Sequence, residues 1–394
     1  MTQDLQRRAN TAAVLRVLAT GGPASVTELR GTAGLSRPTL EVILAELVAT
    51  GMIRPQEPGG GESDRTRGAG RPARRYAIDP DAAFVAGVDV GRHEILVMIA
   101  DIDSTIRVTH RAAVPSGADG PELLQLVERA VQDATDELGI RVDQLRSLAV
   151  GVPGVVDSEG RLSRSVVVPR WSGSDIRAQL AEWAGADVEL VNDANLAALA
   201  EQWRGAARNH RDVLYLLAGW RARASIMIDG QIVTGRHGEA GEIGSVPELF
   251  FDTPGVLLGD SSATSAQVAA VFAKAAAGEA DSQVRVDRYC AELARTIRFM
   301  TAVLDPEVVV IGGGLSGAGE RIVEGLRAHL ASAADPRGWR TPLTVSALTD
   351  SAVALGGVRR AQLTAAAADP LVDAVIAART SNHEEPDHQG KERP

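Results

Sequence analysis

Val191-Asn192-Asp193-Ala194-Asn195-Leu196-Ala197-Ala198-Leu199-Ala200-Glu201 is where a short apolar run meets a helix-forming one. Val188 to Val191 reads as a buried strand, and Asn195 to Trp203 as the helix that it feeds. Asn192 and Asp193 therefore stand at the carboxyl end of a strand, the position at which open α/β sheets bind ligands. An aspartate there also suits a helix N-cap, so this segment alone leaves a binding role and a capping role both open.

Outward from that junction the pattern alternates between strands and helices. Phe84 to Val90, Glu94 to Asp101, Leu148 to Val152, Val213 to Ala218, Ala224 to Ile228 and Val308 to Ile311 read as strands. Glu122 to Leu138, Ile176 to Ala184 and Asp287 to Leu304 read as helices. An α/β body with mixed sheets is expected over residues 81–370. A last helix is expected from Leu371 to Arg379, followed by a charged, disordered tail over 380–394.

The first 80 residues follow other rules. A helix over 6–20 ends at Gly21-Gly22-Pro23. Ser25 then caps a short helix with Glu28 at the capping-box position, Gly34 allows a tight turn, and Ser36 caps the next helix with Pro38 in its first turn. Leu40, Ile43, Leu44 and Leu47 share one face of that helix. Two helices across a short Gly-containing turn form the helix-turn-helix pattern, whose second helix enters the DNA major groove. Ser36, Arg37, Pro38, Thr39, Glu41 and Val42 are its expected DNA-facing residues. Glu41 is placed to accept from a cytosine amino group and Val42 to touch a thymine methyl, while Arg37 and Thr39 reach phosphate.

Met52-Ile53-Arg54 and Arg74-Arg75-Tyr76-Ala77-Ile78 read as two sides of a hairpin wing, with a flexible stretch at about 55–70 around Gly59-Gly60-Gly61. Arg71, Arg74 and Arg75 are expected at DNA, with Arg71 suited to a minor groove. Charge agrees with this placement. Net charge is -10 overall, yet residues 1 to 80 hold 11 Lys+Arg against 8 Asp+Glu, leaving 30 against 43 elsewhere. DNA contact is thus expected only at the front.

Composition closes other routes. With 394 residues and 45% of them hydrophobic, the chain can bury more than one core. The single cysteine, Cys290, rules out an intramolecular disulfide and any multi-thiolate metal site. No long uninterrupted apolar run and no leader pattern are present, so no membrane partner and a cytoplasmic location are expected.

Four segments, in order, resemble the ROK family of bacterial sugar kinases and transcriptional repressors: Gly151-Val152-Pro153-Gly154-Val155-Val156-Asp157, the run from Asn192 to Glu201, Ala240-Gly241-Glu242-Ile243-Gly244, and Asp305-Pro306 ahead of Val308-Val309-Val310-Ile311-Gly312-Gly313-Gly314. The resemblance spans about residues 6 to 365. It implies an α/β fold in which an N-terminal winged helix-turn-helix precedes a two-lobed, actin-like ATPase architecture with sugar bound in the cleft. It also implies ligand contacts from Gly154, Asn192, Asp193, Glu242 and Ser245, with Asp193 matching the base that takes the sugar hydroxyl proton.

The chain departs from the kinase pattern at both phosphate turns. Kinases of this type carry Asp-x-Gly-Gly-Thr where this sequence has Asp89-Val90-Gly91-Arg92-His93. Their second glycine-rich turn is replaced by Gly219-Trp220-Arg221-Ala222-Arg223. Bulk where backbone amides must approach an anion argues against ATP use. Ser245 stands where many members place a zinc-binding histidine, and Phe250 to Asp260 has no cysteine, so no metal and no cofactor are expected. Gly312 to Gly317 also satisfies G-x-G-x-x-G, but no later strand ends in an acidic residue to complete a dinucleotide site.

The expectation is a repressor of carbohydrate-related genes without enzymatic activity, Asp193 being the relic of a kinase base. It would bind a palindromic double-stranded DNA operator as a homo-oligomer, dimer or tetramer, with helix Asp287 to Leu304 as a dimer contact and a sugar or sugar derivative as effector. The alternatives are an active ATP-dependent sugar kinase and a ligand-independent DNA-binding dimer.

Overall fold

The computed structural model describes residues 2–56, 74–218, 222–246, 253–260, 265–313, 320–331 and 338–384. At the front, α1 (Thr2–Gly21), β1 (Ala24–Ser25), α2 (Val26–Ala33), α3 (Arg37–Ala49), β2 (Ile53–Gln56) and β3 (Arg75–Ile78) follow one another. Ser25 and Glu28 form the reciprocal capping box, and Gly34 takes a left-handed φ of 65° at the end of α2. Ser36 caps α3 by accepting from the Thr39 amide. β1, β3 and β2 pair antiparallel in that order, with Ile53 opposite Ile78. Residues 55 and 56, expected in the flexible stretch, are therefore strand. Residues 57–73, with Arg71 and the glycine tip, lie outside the described residues.

The first lobe holds β4 (Phe84–Val90), β5 (Glu94–Asp101), β6 (Ile106–Ala113), α4 (Pro121–Leu138), β7 (Leu145–Val152), β8 (Val155–Val156), β9 (Leu162–Arg164), α5 (Ile176–Ala184), β10 (Asp187–Asn192) and then α6 (Asp193–Arg204). Its five-stranded sheet has the order β10-β7-β4-β5-β6, parallel from β10 to β4 and antiparallel from β4 to β6. The second lobe holds β11 (Val213–Ala218), β12 (Ala222–Ile228), β13 (Gln231–Ile232), α7 (Thr253–Leu258), α8 (Ser265–Ala276), α9 (Ala280–Leu304), β14 (Val308–Gly312), α10 (Glu320–Ala331) and β15 (Leu343–Val345). It repeats the mixed pattern in the order β13-β12-β11-β14-β15. The chain closes with α11 (Ala352–Ala368) and α12 (Pro370–Glu384).

α6 and α11 pack against each other between the sheets, α11 on β4 and β7 and α6 on β11 and β12. Glycine makes that approach close enough: a Cβ on Gly356 would lie 1.8 Å from the Leu196 carbonyl oxygen, and one on Gly87 only 2.0 Å from that of Ala354. α12 leaves the body and packs on α1. Val372, Val375 and Ile376 join Val14, Leu15 and Leu18 in one buried cluster that continues into α11 and the first sheet. Helix runs to Glu384 where a disordered tail from 380 was expected, as a continuation of a helix whose apolar positions up to Ala378 are buried in this cluster. Among the described residues, no helix is long and apolar enough to cross a membrane.

Candidate functional site

The β10–α6 junction resolves the two readings of Asn192-Asp193. Asn192 is the cap: its Oδ1 accepts from the Asn195 amide at 3.1 Å. Asp193 is the first helical residue, its Oδ1 accepting from the Ala194 amide at 2.8 Å. That leaves Oδ2 of Asp193 directed at the second lobe, where the Arg223 guanidinium of β12 binds it. Both side chains are largely buried, 9% and 15% exposed for Asp193 and Arg223 respectively.

Around this ion pair stand two further carboxyls. Nδ2 of Asn192 donates to Gly154 O at 2.9 Å and to Glu242 Oε1 at 3.1 Å, so the two side chains expected to hold a ligand hold each other. Ser245 donates its hydroxyl to the Glu242 carbonyl at 2.7 Å. Asp89, at the end of β4, is pushed up to about 8 by burial and by the charge of Asp193, so it carries a proton at neutral pH. Burial also raises Glu242 and Asp193, Arg223 opposing it in both cases. Ser225 on β12 donates to Asn195 Oδ1 at 2.7 Å and ties α6 to the second sheet.

All five expected ligand residues thus come together. Gly154, Glu242 and Ser245 line a cavity with Arg164, Ser165 and Arg223, and Asn192 and Asp193 adjoin it through their bonds to Glu242 and Arg223. Its volume is only about 60 Å³. Small-molecule sites run to roughly 300–1,000 Å³, so a sugar enters only if Arg223 or a lobe moves. In this arrangement both carboxylate oxygens of Asp193 are engaged, Oδ1 by the Ala194 amide and Oδ2 by Arg223.

Residues 85–254 and 259–362 match the ROK family. The chain belongs to the ROK family. An N-acetyl-D-glucosamine kinase of Yersinia pseudotuberculosis is 27% identical over 258 residues, covering 58% of this chain and 83% of that one. A glucokinase of Thermotoga maritima is 28% identical, covering 61% and 85%. A xylose repressor of Caldicellulosiruptor bescii is 25% identical, covering 63% of this chain and 61% of the repressor. In fold, the chain is similar to a ROK family glucokinase from Streptomyces griseus, with TM-score 0.60 and 19% identity over 71% of this chain and 100% of that one. It is also similar to a ROK family transcriptional regulator, a homolog of the E. coli MLC protein, with TM-score 0.66 and 17% identity over 95% of this chain and 98% of that one.

This ROK chain presents Arg37, Pro38, Thr39, Glu41 and Val42 on the exposed side of α3, opposite buried Leu40, Ile43, Leu44 and Leu47. Glu41 is not a bare acceptor, since Arg37 Nε donates to it at 2.8 Å. Arg75 is likewise engaged, donating to Pro23 O at 2.6 Å and pairing with Glu28 at 3.4 Å. Arg74 is exposed at the start of β3. Gly219, Trp220 and Arg221 of the second phosphate turn lie outside the described residues. The sequence reading gave no role to two residues of this site: Asp89 as a half-buried acid, and Arg223 as the partner of Asp193. The signal for Arg223 was a charged residue directly ahead of the strand read at Ala224 to Ile228.

Proposed function

We propose that the protein is a sequence-specific DNA-binding transcriptional regulator, a repressor of carbohydrate-related genes, whose degenerate kinase cleft takes a small-molecule effector without phosphorylating it. The observation that carries this reading is the Arg223–Asp193 ion pair, which neutralises the one side chain that a kinase of this fold would use as base. Arg92 and His93 in the first phosphate turn favour the same reading.

The front unit supplies the DNA reader. Two capped helices across a left-handed glycine, followed by an antiparallel hairpin, have the form of a winged helix-turn-helix, with α3 as recognition helix. Such readers bind palindromes as dimers. α9 is the proposed dimer contact, since it exposes Val284, Phe299 and Val303, the last two one turn apart. The α1–α12 contact is the proposed route from cleft to reader: α12 follows α11, which packs on the α6 that begins with Asp193.

Capture of bound genomic DNA by the purified full chain tests the reader, and enrichment of a palindrome beside carbohydrate genes is the expected result. An assay of ATP turnover against a hexose panel tests the cleft. Turnover abolished by Asp193→Ala would replace this reading with that of an active sugar kinase, which the kinase relatives favour.

A further inference from the structure

A second cavity lies along α6, distinct from the cleft around Glu242 and Arg223. Its volume is about 1260 Å³, against 60 Å³ for the cleft. Both lobes build it. The first contributes β10 from Glu189 and the β8–β9 turn; the second contributes residues 208–211 and the turn between β12 and β13, while α11 closes one side. Leu196, Leu199 and Trp203 of α6 give it an apolar stripe.

Charge on its walls is one-sided. Arg177, Arg208, Arg211, Arg359 and Arg360 line it against Asp157, Glu159 and Glu189. The three acids are already served. Asp157 accepts from the amides of Glu159 and Arg161 at 2.9 and 3.0 Å, Glu159 pairs with Arg161 at 2.7 Å, and Glu189 is held by Arg360 and by the Thr364 hydroxyl at 2.6 Å. Arg211 is held by Asp229. Arg177 has no ion-pair partner among the described residues. His210, also on the wall, has a buried Nδ1 without a hydrogen-bond partner.

We propose that this groove is a second ligand site, for a phosphorylated small molecule that bridges the two lobes. Arginines of α5, α11 and the loop before β11 that line one groove suit an anion with several oxygens, which Arg binds by paired N–H donors. The apolar stripe of α6 takes the remainder of such a molecule, and the volume accommodates one. The site does not depend on the cleft, yet it touches it: Asn192 lines the groove and also holds Glu242. A ligand gripping Arg177 in the first lobe and Arg208 in the second therefore sets the angle at which the lobes meet.

Isothermal titration of the full chain with glucose 6-phosphate, AMP and inorganic phosphate, beside glucose and adenosine, tests this and distinguishes sugar phosphate from nucleotide. A phosphorylated compound is expected to bind where its unphosphorylated counterpart does not, and Arg177→Ala with Arg208→Ala is expected to weaken it about tenfold or more. Both side chains are exposed, so the variant keeps its fold, which circular dichroism verifies. Arg129→Ala, exposed on α4 and outside the groove lining, is expected to leave this binding unchanged. No binding of any phosphate at millimolar concentration, or undiminished binding in the groove variant, would overturn the proposal while leaving the regulator reading intact.

Discussion

Arg223 occupies the outward oxygen of Asp193, and the cost of removing it follows from burial. Arg223→Met leaves a carboxylate that is 9% exposed without its counter-ion, a loss of roughly 3–5 kcal/mol in comparable buried pairs. Urea midpoints should show that loss, and Arg223→Met combined with Asp193→Asn should recover most of it; equal stability of the single and double variants would remove the pair from the account. Asp89 makes a second, pH-dependent case. Its folded value of about 8 lies above its ordinary 3.8, so between those limits the folded chain keeps a proton that the unfolded chain releases. Stability therefore falls as pH rises through that window and levels off above it. Asp89→Asn should raise the melting temperature at pH 9 by more than at pH 4, and a pH-independent difference would contradict the assignment. Neither effect was legible from sequence. Arg223 was visible as part of the altered second turn, but its partner lies 30 residues away on the other lobe, and only tertiary approach joins them.

Elements with a strong period were legible, and those without one were not. α5, β4, β5 and β11 fall where the apolar pattern placed them, residue for residue. β6 was missed because its sequence, Ile106-Arg107-Val108-Thr109-His110-Arg111, belongs to a sheet edge with one wet face and few apolar positions. β8 and β9 are too short to carry a period at all. α12 was seen but cut short, since the residues past Arg379, Thr380-Ser381-Asn382-His383-Glu384, carry no apolar period. The α1–α12 contact has a test of its own. Val375 is fully buried against the cluster of Val14, Leu15 and Leu18, so Val375→Asp puts an unpaired charge between α12 and α1. Calorimetry should then resolve a separate, lower transition for the front unit. A single transition at the unaltered temperature would mean that α12 does not fasten the two parts together.

At the scale of the molecule, one continuous core runs from α1 through α12 and α11 into the first sheet, so a change in lobe angle has a packed route to α3. The cleft in its present form is too small for a hexose, and an effector that enters must therefore select a different arrangement of Arg223 or of the lobes. In the proposed regulator, differential affinity for the two arrangements is the whole of the coupling, and it is reciprocal: whatever factor an effector imposes on operator affinity, the operator imposes on effector affinity. Couplings of this kind run to about 5–150-fold. Once an effector is found by thermal shift and an operator by genomic capture, titration of the effector with and without the operator duplex should give two dissociation constants whose ratio equals the change in operator affinity. Equal constants, together with an operator affinity indifferent to effector, would leave the large body as a dimerisation scaffold that carries a reader without sensing for it.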